Sequence, residues 1–447
     1  MENSMFSRRQ VWALLIPLMI EQVLTSLMGT ADTMMVATVG SAAISAVSLV
    51  DAINVLIIQV FSALATGGAV ICAQHLGRGE RGEAANAGKQ LMLTVLTLSV
   101  ATMLVLIALR GPLLGLIFGS VEADVMAGAL SYLLITALSY PFIALYNAGA
   151  ALFRVDGNSR LPMTVSVICN LINIALNALF IFRFGMGVVG AALATLISRV
   201  LCAVTTLYLL RKPHQTIVVR DYMRIRPEFA CILGMMAIGL PAGIENGMFQ
   251  FGKLAIQSSV STLSTAAIAG QAMTATIELL TSTAQMGIGL GMMTIVGQCM
   301  GARRVDEARG YILRLTGYAE IVSVVVCALS AVLVRPVTVI AGMEPEAAEL
   351  TVKLTWLIAV VKPIVWSLSF IPAYGMRAAG DARFSMIVST CTMWIFRVVV
   401  ATVLIRGLGF GPLGVWIGMF VDWTVRSVIF TARFRSGKWA QHQVIKD

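Results

Sequence analysis

Asp32 is the residue of this sequence whose chemistry most needs a reason. It stands in an apolar run from about residue 10 to residue 36, where a carboxylate has no water. Unpaired charge in hydrocarbon costs several kcal/mol, so such a group is retained for a partner, a cation or a proton. Pro17, fifteen residues earlier, lies about 22 Å away along a helix. It removes one backbone hydrogen bond and predicts a helix able to bend, and a carboxylate on a bendable helix can couple protonation to a change of shape. The competing reading is a static pair with a base on a neighbouring helix. Asn170, Asn173 and Asn177 fall at i, i+3 and i+7 of a later apolar run, on one helix face. Three amides there need hydrogen-bond partners or a polar cavity. With Asp32, and a hydroxyl from Thr195, they predict a cation or proton site; the alternative is hydrogen bonding between packed helices.

Other ionisable residues interrupt apolar runs: Glu21, Asp51 and Arg199 in the first half, then Glu245, Lys253, Glu278, Glu320, Lys362, Arg397, Asp422 and Arg426. For Glu320 and Arg426 the expectation is a side chain that snorkels to the interface. Glu245 and Lys253 are two helical turns apart, too far to pair directly. The sequence therefore suggests Lys362 as partner of Glu245, and Glu278 as partner of Lys253. Glu21, Asp51, Glu245, Gln250, Lys253, Glu278 and Lys362 are candidate substrate-cavity residues, structural ion pairs being the alternative.

Other chemistries find little support. The seven cysteines are scattered, with no CxxC, and read as small buried side chains. His75, His214 and His442 all lie in polar segments, which argues against a zinc or histidine-based catalytic site. Neither HExxH nor GxSxG occurs, so an enzyme cutting lipid or peptide bonds is not expected, and no cofactor is implied.

The elements that must hold these residues are transmembrane helices. The chain is 58% hydrophobic and 12% charged, against about 25% charged in soluble domains. A helical span needs about 20 apolar residues. Twelve runs qualify: 10–36, 44–75, 87–109, 124–153, 161–183, 188–211, 230–256, 265–297, 308–334, 346–378, 384–406 and 412–434. The first is too long for a secretory signal and reads as a span. With the N-terminus cytoplasmic, inner segments and the run ends beside them hold 22 Lys and Arg and the outer ones 5 (Arg110, Arg183, Arg335, Lys353 and Arg406). That asymmetry predicts an even number of spans with both termini inside. The net charge of +10 is accounted for by these loops and not by a nucleic-acid surface.

The chain also repeats. Sliding the second half back over the first lays Pro241 and Glu245 on Pro17 and Glu21. The same register lays Gln298 and Gly301 on Gln74 and Gly77, and Gly411 and Gly414 on Gly187 and Gly190. A register one position shorter lays Arg377, Gly380, Arg383 and Met386 on Arg154, Gly157, Arg160 and Met163. Six spans per copy make both copies enter the bilayer in the same sense, the parallel-repeat arrangement of many transporters. The expected class is thus an all-α membrane protein of two pseudo-symmetric six-helix lobes, 1–215 and 216–447.

The run Thr30-Ala31-Asp32-Thr33-Met34-Met35-Val36 after Pro17 resembles the opening of the multidrug and toxic compound extrusion (MATE) transporters. So do Gly67-Gly68-Ala69 leading to Gln74-His75-Leu76-Gly77, the paired loops at Phe153–Asn158 and Met376–Asp381, and the stretch Gly185 to Ala194. The resemblance covers both halves. It implies a monomer in the bacterial inner membrane whose two lobes face a central cavity, exporting small amphipathic or cationic molecules in exchange for H⁺ or Na⁺. The family's first-lobe cation site falls on Asp32, Asn173, Asn177 and Thr195. Asn177 stands where the family usually has a carboxylate; one charge fewer weakens Na⁺ binding and favours a proton at Asp32, with Na⁺ the alternative. The second-lobe acids of one branch have no clear counterpart, and Lys362 lies near where an acid is expected. A precursor flippase of the same superfamily is the second reading; such flippases tend to have extra helices and a strongly basic cavity.

Overall fold

The computed structural model describes residues 4–119, 121–212, 215–219, 225–442 and 444–445. His214, Arg220, Arg224 and Lys446 lie outside them. Apolar runs this long satisfy every backbone hydrogen bond internally only as helices. The first half comprises α1 (Arg8–Ala37), α2 (Ser41–Gly77), α3 (Arg81–Phe118), α4 (Ala123–Leu138), α5 (Tyr140–Val155), α6 (Arg160–Arg183) and α7 (Gly187–Leu210). The second comprises α8 (Phe229–Val260), α9 (Thr265–Gly301), α10 (Val305–Ile340), α11 (Pro345–Ala378), α12 (Ala382–Gly407) and α13 (Pro412–Arg435). Eleven of these helices are long and apolar enough to cross a membrane. The exceptions, α4 and α5, bend by 44° at Ser139 and together complete a twelfth span. Each of the twelve expected runs is found, most with a turn or so added at an end.

The duplication extends to packing and to backbone irregularities. In the first half α2 packs on α3, α4 and α5, and α7 packs on α4, α5 and α6. In the second half α9 packs on α10 and α11, and α13 on α11 and α12, the same scheme made again. Both α6 and α12 end in a wide π-helical turn, at Leu179–Arg183 and Val403–Gly407. Among the described residues only α12 carries a second such stretch, Met393–Val399. A π-turn inserts a residue and re-aims side chains, often at functional sites, and this one holds Arg397.

Two compact units result, Arg8–Gly243 on one side and Met1–Ser7 with Ile244–Asp447 on the other. The division falls inside α8, later than the 215/216 boundary expected from the sequence. The cause is local packing. A Cβ at Gly67 of α2 would run into the Met235 carbonyl and the Gly239 backbone of α8, so the first turns of α8 lie backbone to backbone on the first lobe. Before α1, Ser4 and Phe6 hydrogen-bond the Tyr311 hydroxyl of the second lobe, at 2.7 and 2.9 Å.

Candidate functional site

In the first lobe, α1 and α6 pack together and bring Asp32 against the asparagine stripe. Asn177 Nδ2 donates to Asp32 Oδ1 at 2.9 Å. In the carboxamide orientation that satisfies its neighbours, Asn173 donates to the two Asp32 oxygens at 3.0 and 2.9 Å and accepts from the Thr195 amide at 3.3 Å. Asn173 and Asn177 are buried and Asp32 and Thr195 half-buried. Asp32 has no basic partner among the described residues, so the static ion pair is not what holds it. Asn170 of the same stripe instead donates to Ser166 at 3.3 Å, on its own helix.

Two oxygens here have capacity to spare. The Asn177 carboxamide oxygen is buried with no donor, and the Thr195 hydroxyl, which donates to Ala191 O at 3.0 Å, keeps its lone pairs. Asp32, Asn177 and Thr195 thus offer the oxygen ligands a hard cation takes. With one carboxylate among them, a proton on Asp32 satisfies the charge equally well.

A second network lies beside it. Asp51 accepts from Asn54 at 3.1 Å and from Tyr132 at 3.3 Å, and Asn54 accepts from Tyr140 at 2.7 Å. Arg199 donates to Ser139, at the α4/α5 bend, at 2.7 Å. Asp51, expected as a cavity residue, is held by these hydroxyl and amide donors.

Glu21 and Glu245 depart from the expected roles. Glu21 is 4% exposed and bound to Arg154 at 3.0 Å; Glu245 is 9% exposed and bound to Arg377 at 2.6 Å. These are one ion pair made twice, once per repeat. Both acids are thus held by a base, the ion-pair alternative to the cavity role. The internal repeat carried the signal, because its two registers superpose both partners.

The pairing expected in the second lobe is likewise corrected. Lys362, fully buried, bonds Glu278 at 3.0 Å, with Thr281 and Ser282 each at 2.7 Å. Its reach from α11 is to α9, because those helices pack side by side. Lys253 is left without an ion-pair partner among the described residues; its ammonium stands 5.2 Å from the Phe249 ring centre. Gln250 is half-buried on the same helix. Arg426 does not snorkel: it is 1% exposed and bonds Asp422 at 2.9 Å. Asp422 also pairs with Arg397 at 2.6 Å. Arg397 and Asp422, to which spacing assigned no role, form the most buried charge cluster of this lobe.

A duplicated twelve-span bundle with an intramembrane carboxylate held only by amides defines a multi-pass membrane protein built as secondary transporters are. The MatE family pattern matches residues 17–179 and again 241–403, in the same register as the repeat, and the chain belongs to the MATE family of transporters, not to an enzyme family. It is 28% identical to a probable multidrug resistance protein NorM of Thermotoga maritima, over 98% of this chain and 94% of that one. It is 25% identical to the uncharacterized transporter YisQ of Bacillus subtilis, over 95% and 93%. Among solved structures, an outward-facing MATE transporter of the MOP superfamily superposes with a TM-score of 0.89 at 20% identity over 97% of both chains. A Pyrococcus furiosus MOP-superfamily transporter, described as having a binding pocket of reverse polarity, superposes with a TM-score of 0.88 at 21% identity, over 96% of this chain and 95% of that one.

Proposed function

We propose that this protein exports small organic molecules across the cytoplasmic membrane by alternating access, as a monomer with both termini in the cytoplasm, driven by inward movement of a cation through the Asp32 site. The observation that carries the reading is the state of Asp32: a carboxylate within a span, unpaired with any base among the described residues, accepting from Asn173 and Asn177. A group so placed changes charge only by taking a proton or a cation, and that change alters how well it sits among apolar helices. The multidrug resistance name of the Thermotoga maritima relative, aligned over nearly its whole length, supports export of organic molecules. The single carboxylate supports H⁺ as the coupling ion over Na⁺.

The test is transport by purified protein in liposomes, with a pH gradient and a Na⁺ gradient imposed separately. Dye accumulation driven by the pH gradient alone is the expected result. Accumulation driven only by Na⁺ reverses the choice of ion, and accumulation under neither gradient removes the antiport reading.

A further inference from the structure

The second lobe holds more positive charge than its acids neutralise. Lys362 and Glu278 form one balanced pair. Asp422 is shared by two arginines, Arg397 at 2.6 Å and Arg426 at 2.9 Å, and all three are at most 3% exposed. Lys253, exposed on its side of α8, has no acid in pairing range among the described residues. Glu320, midway along α10, enters no ion pair among them either. Charge left uncompensated within a span costs several kcal/mol, so its retention asks for a ligand.

Three features place that ligand at the junction of α8 and α12. Lys253 and Arg397 both stack on Phe249, at 5.2 and 4.9 Å from its ring centre, so the two cations share one ring. Gly252 of α8 lies against the Met393 side chain at the start of the extra π-helical stretch, which sets the helices close there. The buried N–H groups Arg397 Nε and Trp394 Nε1, on that same stretch, have no acceptor. Unmet buried donors are costly, and here they accompany surplus positive charge.

The repeat shows that the charge is particular to this lobe. In the register that lays Pro241 on Pro17, Arg397 falls on Asn173, Asp422 on Ser198 and Lys253 on Gly29. In that register the position that presents an amide to the Asp32 carboxylate in one lobe carries a fixed cation in the other; in the register of the start of α12, which lays Met386 on Met163, Arg397 falls on the apolar Ile174.

We infer that the second lobe contains a binding subsite for an organic anion, a carboxylate, sulfonate or phosphate on an apolar or aromatic body, received by Lys253, Arg397 and the Trp394 N–H with Phe249 against its apolar part. This inference rests on the transport reading for its purpose, though the subsite is a property of the lobe alone. The favoured cargo is accordingly anionic or zwitterionic rather than purely cationic.

Two xanthene dyes of similar bulk and opposite charge test it on the purified full-length protein by fluorescence polarisation: fluorescein, an anion in mildly alkaline buffer, and rhodamine 6G, a cation. Wild type is expected to bind fluorescein the more tightly. Lys253→Gln, which breaks no ion pair, is expected to weaken fluorescein binding by about tenfold or more, the worth of one hydrogen bond to a charged group, without weakening rhodamine binding. Arg397→Gln, which leaves Asp422 paired with Arg426, is expected to act in the same direction. Preference of wild type for rhodamine, an unchanged fluorescein affinity in Lys253→Gln, or an equal loss for both dyes overturns the subsite. Short-chain phosphatidylglycerol probes the other source of the same chemistry: competition with fluorescein assigns a lipid headgroup, and lack of competition a soluble anion. Asp32→Asn is expected to leave fluorescein binding intact while losing coupled transport; wild type that binds fluorescein yet accumulates no dye under either gradient strikes the transport reading and not this one.

Discussion

Replacing Asp32 by Asn separates coupling from folding, and the geometry says how cleanly. The two side chains have nearly the same shape. Asp32 accepts from Asn177 at 2.9 Å and from Asn173 at 3.0 and 2.9 Å. An asparagine keeps one acceptor oxygen for Asn173, and its new N–H group needs an acceptor. Rotation of the Asn177 carboxamide supplies one, because its buried oxygen has no donor in the native site. The substitution therefore exchanges hydrogen bonds to a charged group for neutral ones, a change of about 1 kcal/mol, and leaves no uncompensated charge. Stability should hardly move, while the capacity to take up a proton is lost. One proton moving down a gradient of two pH units supplies about 2.7 kcal/mol, enough for a concentration ratio of about 100 in one-for-one exchange. In liposomes, wild type is expected to build a dye gradient approaching that scale, and Asp32→Asn to reach only equilibration. Thermal unfolding in detergent, run beside the transport assay, checks that the fold persists. Wild-type accumulation by Asp32→Asn would refute coupling through this residue, and a collapsed melting transition would refute the hydrogen-bond geometry.

Neighbouring features bear on coupling and stability in ways that can be measured separately. Asn177→Asp places a second carboxylate against Asp32, where two like charges cannot both ionise without a counter-ion; thermal stability of this variant is expected to rise with added Na⁺ far more than that of wild type. Glu245→Ala leaves the half-buried Arg377 without its acid and is expected to cost stability, by at most about 3 kcal/mol, the lower end for a fully buried pair, seen as a lower melting temperature, with Glu21→Ala showing a similar loss through Arg154. Asp422→Asn leaves Arg397 and Arg426 facing each other in the lobe interior and is expected to be at least as damaging, read by yield and melting of the purified protein. Gly67→Leu forces a side chain into the Met235 and Gly239 backbone, which cannot yield as a side chain can; loss of folded protein on size-exclusion chromatography is the expected outcome, and unchanged yield would show that α2 and α8 do not meet as described.

The parts of the site legible in the sequence were those encoded by local spacing. Asn173 and Asn177 share a face because helical periodicity puts them there, and Asp32 drew attention because a lone acid in an apolar run is costly. The pairing of the second-lobe charges was not legible. Lys362 was matched to Glu245 on charge alone, whereas helix packing decides which residues meet, and α11 lies beside α9. Arg426 reads as a snorkelling side chain because it stands toward the end of an apolar run; in the fold it lies well inside α13, is 1% exposed, and has Asp422 one turn away. The additional π-turn at Met393–Val399 has no counterpart in the first half among the described residues, and nothing in its apolar composition announces it.

Sequence alone determined the class and count of spans and the duplication, because hydropathy and length act locally or along the chain; for sidedness the placement of Lys and Arg sets an expectation. The tertiary structure alone decided which charges are neutralised and which are left over. Coulombic and hydrogen-bond energies depend on distances across helices, and a shift of one turn or one inserted residue redirects them. The same repeat thus yields an amide-held carboxylate at Asp32 in one lobe and a surplus of cations around Arg397 in the other.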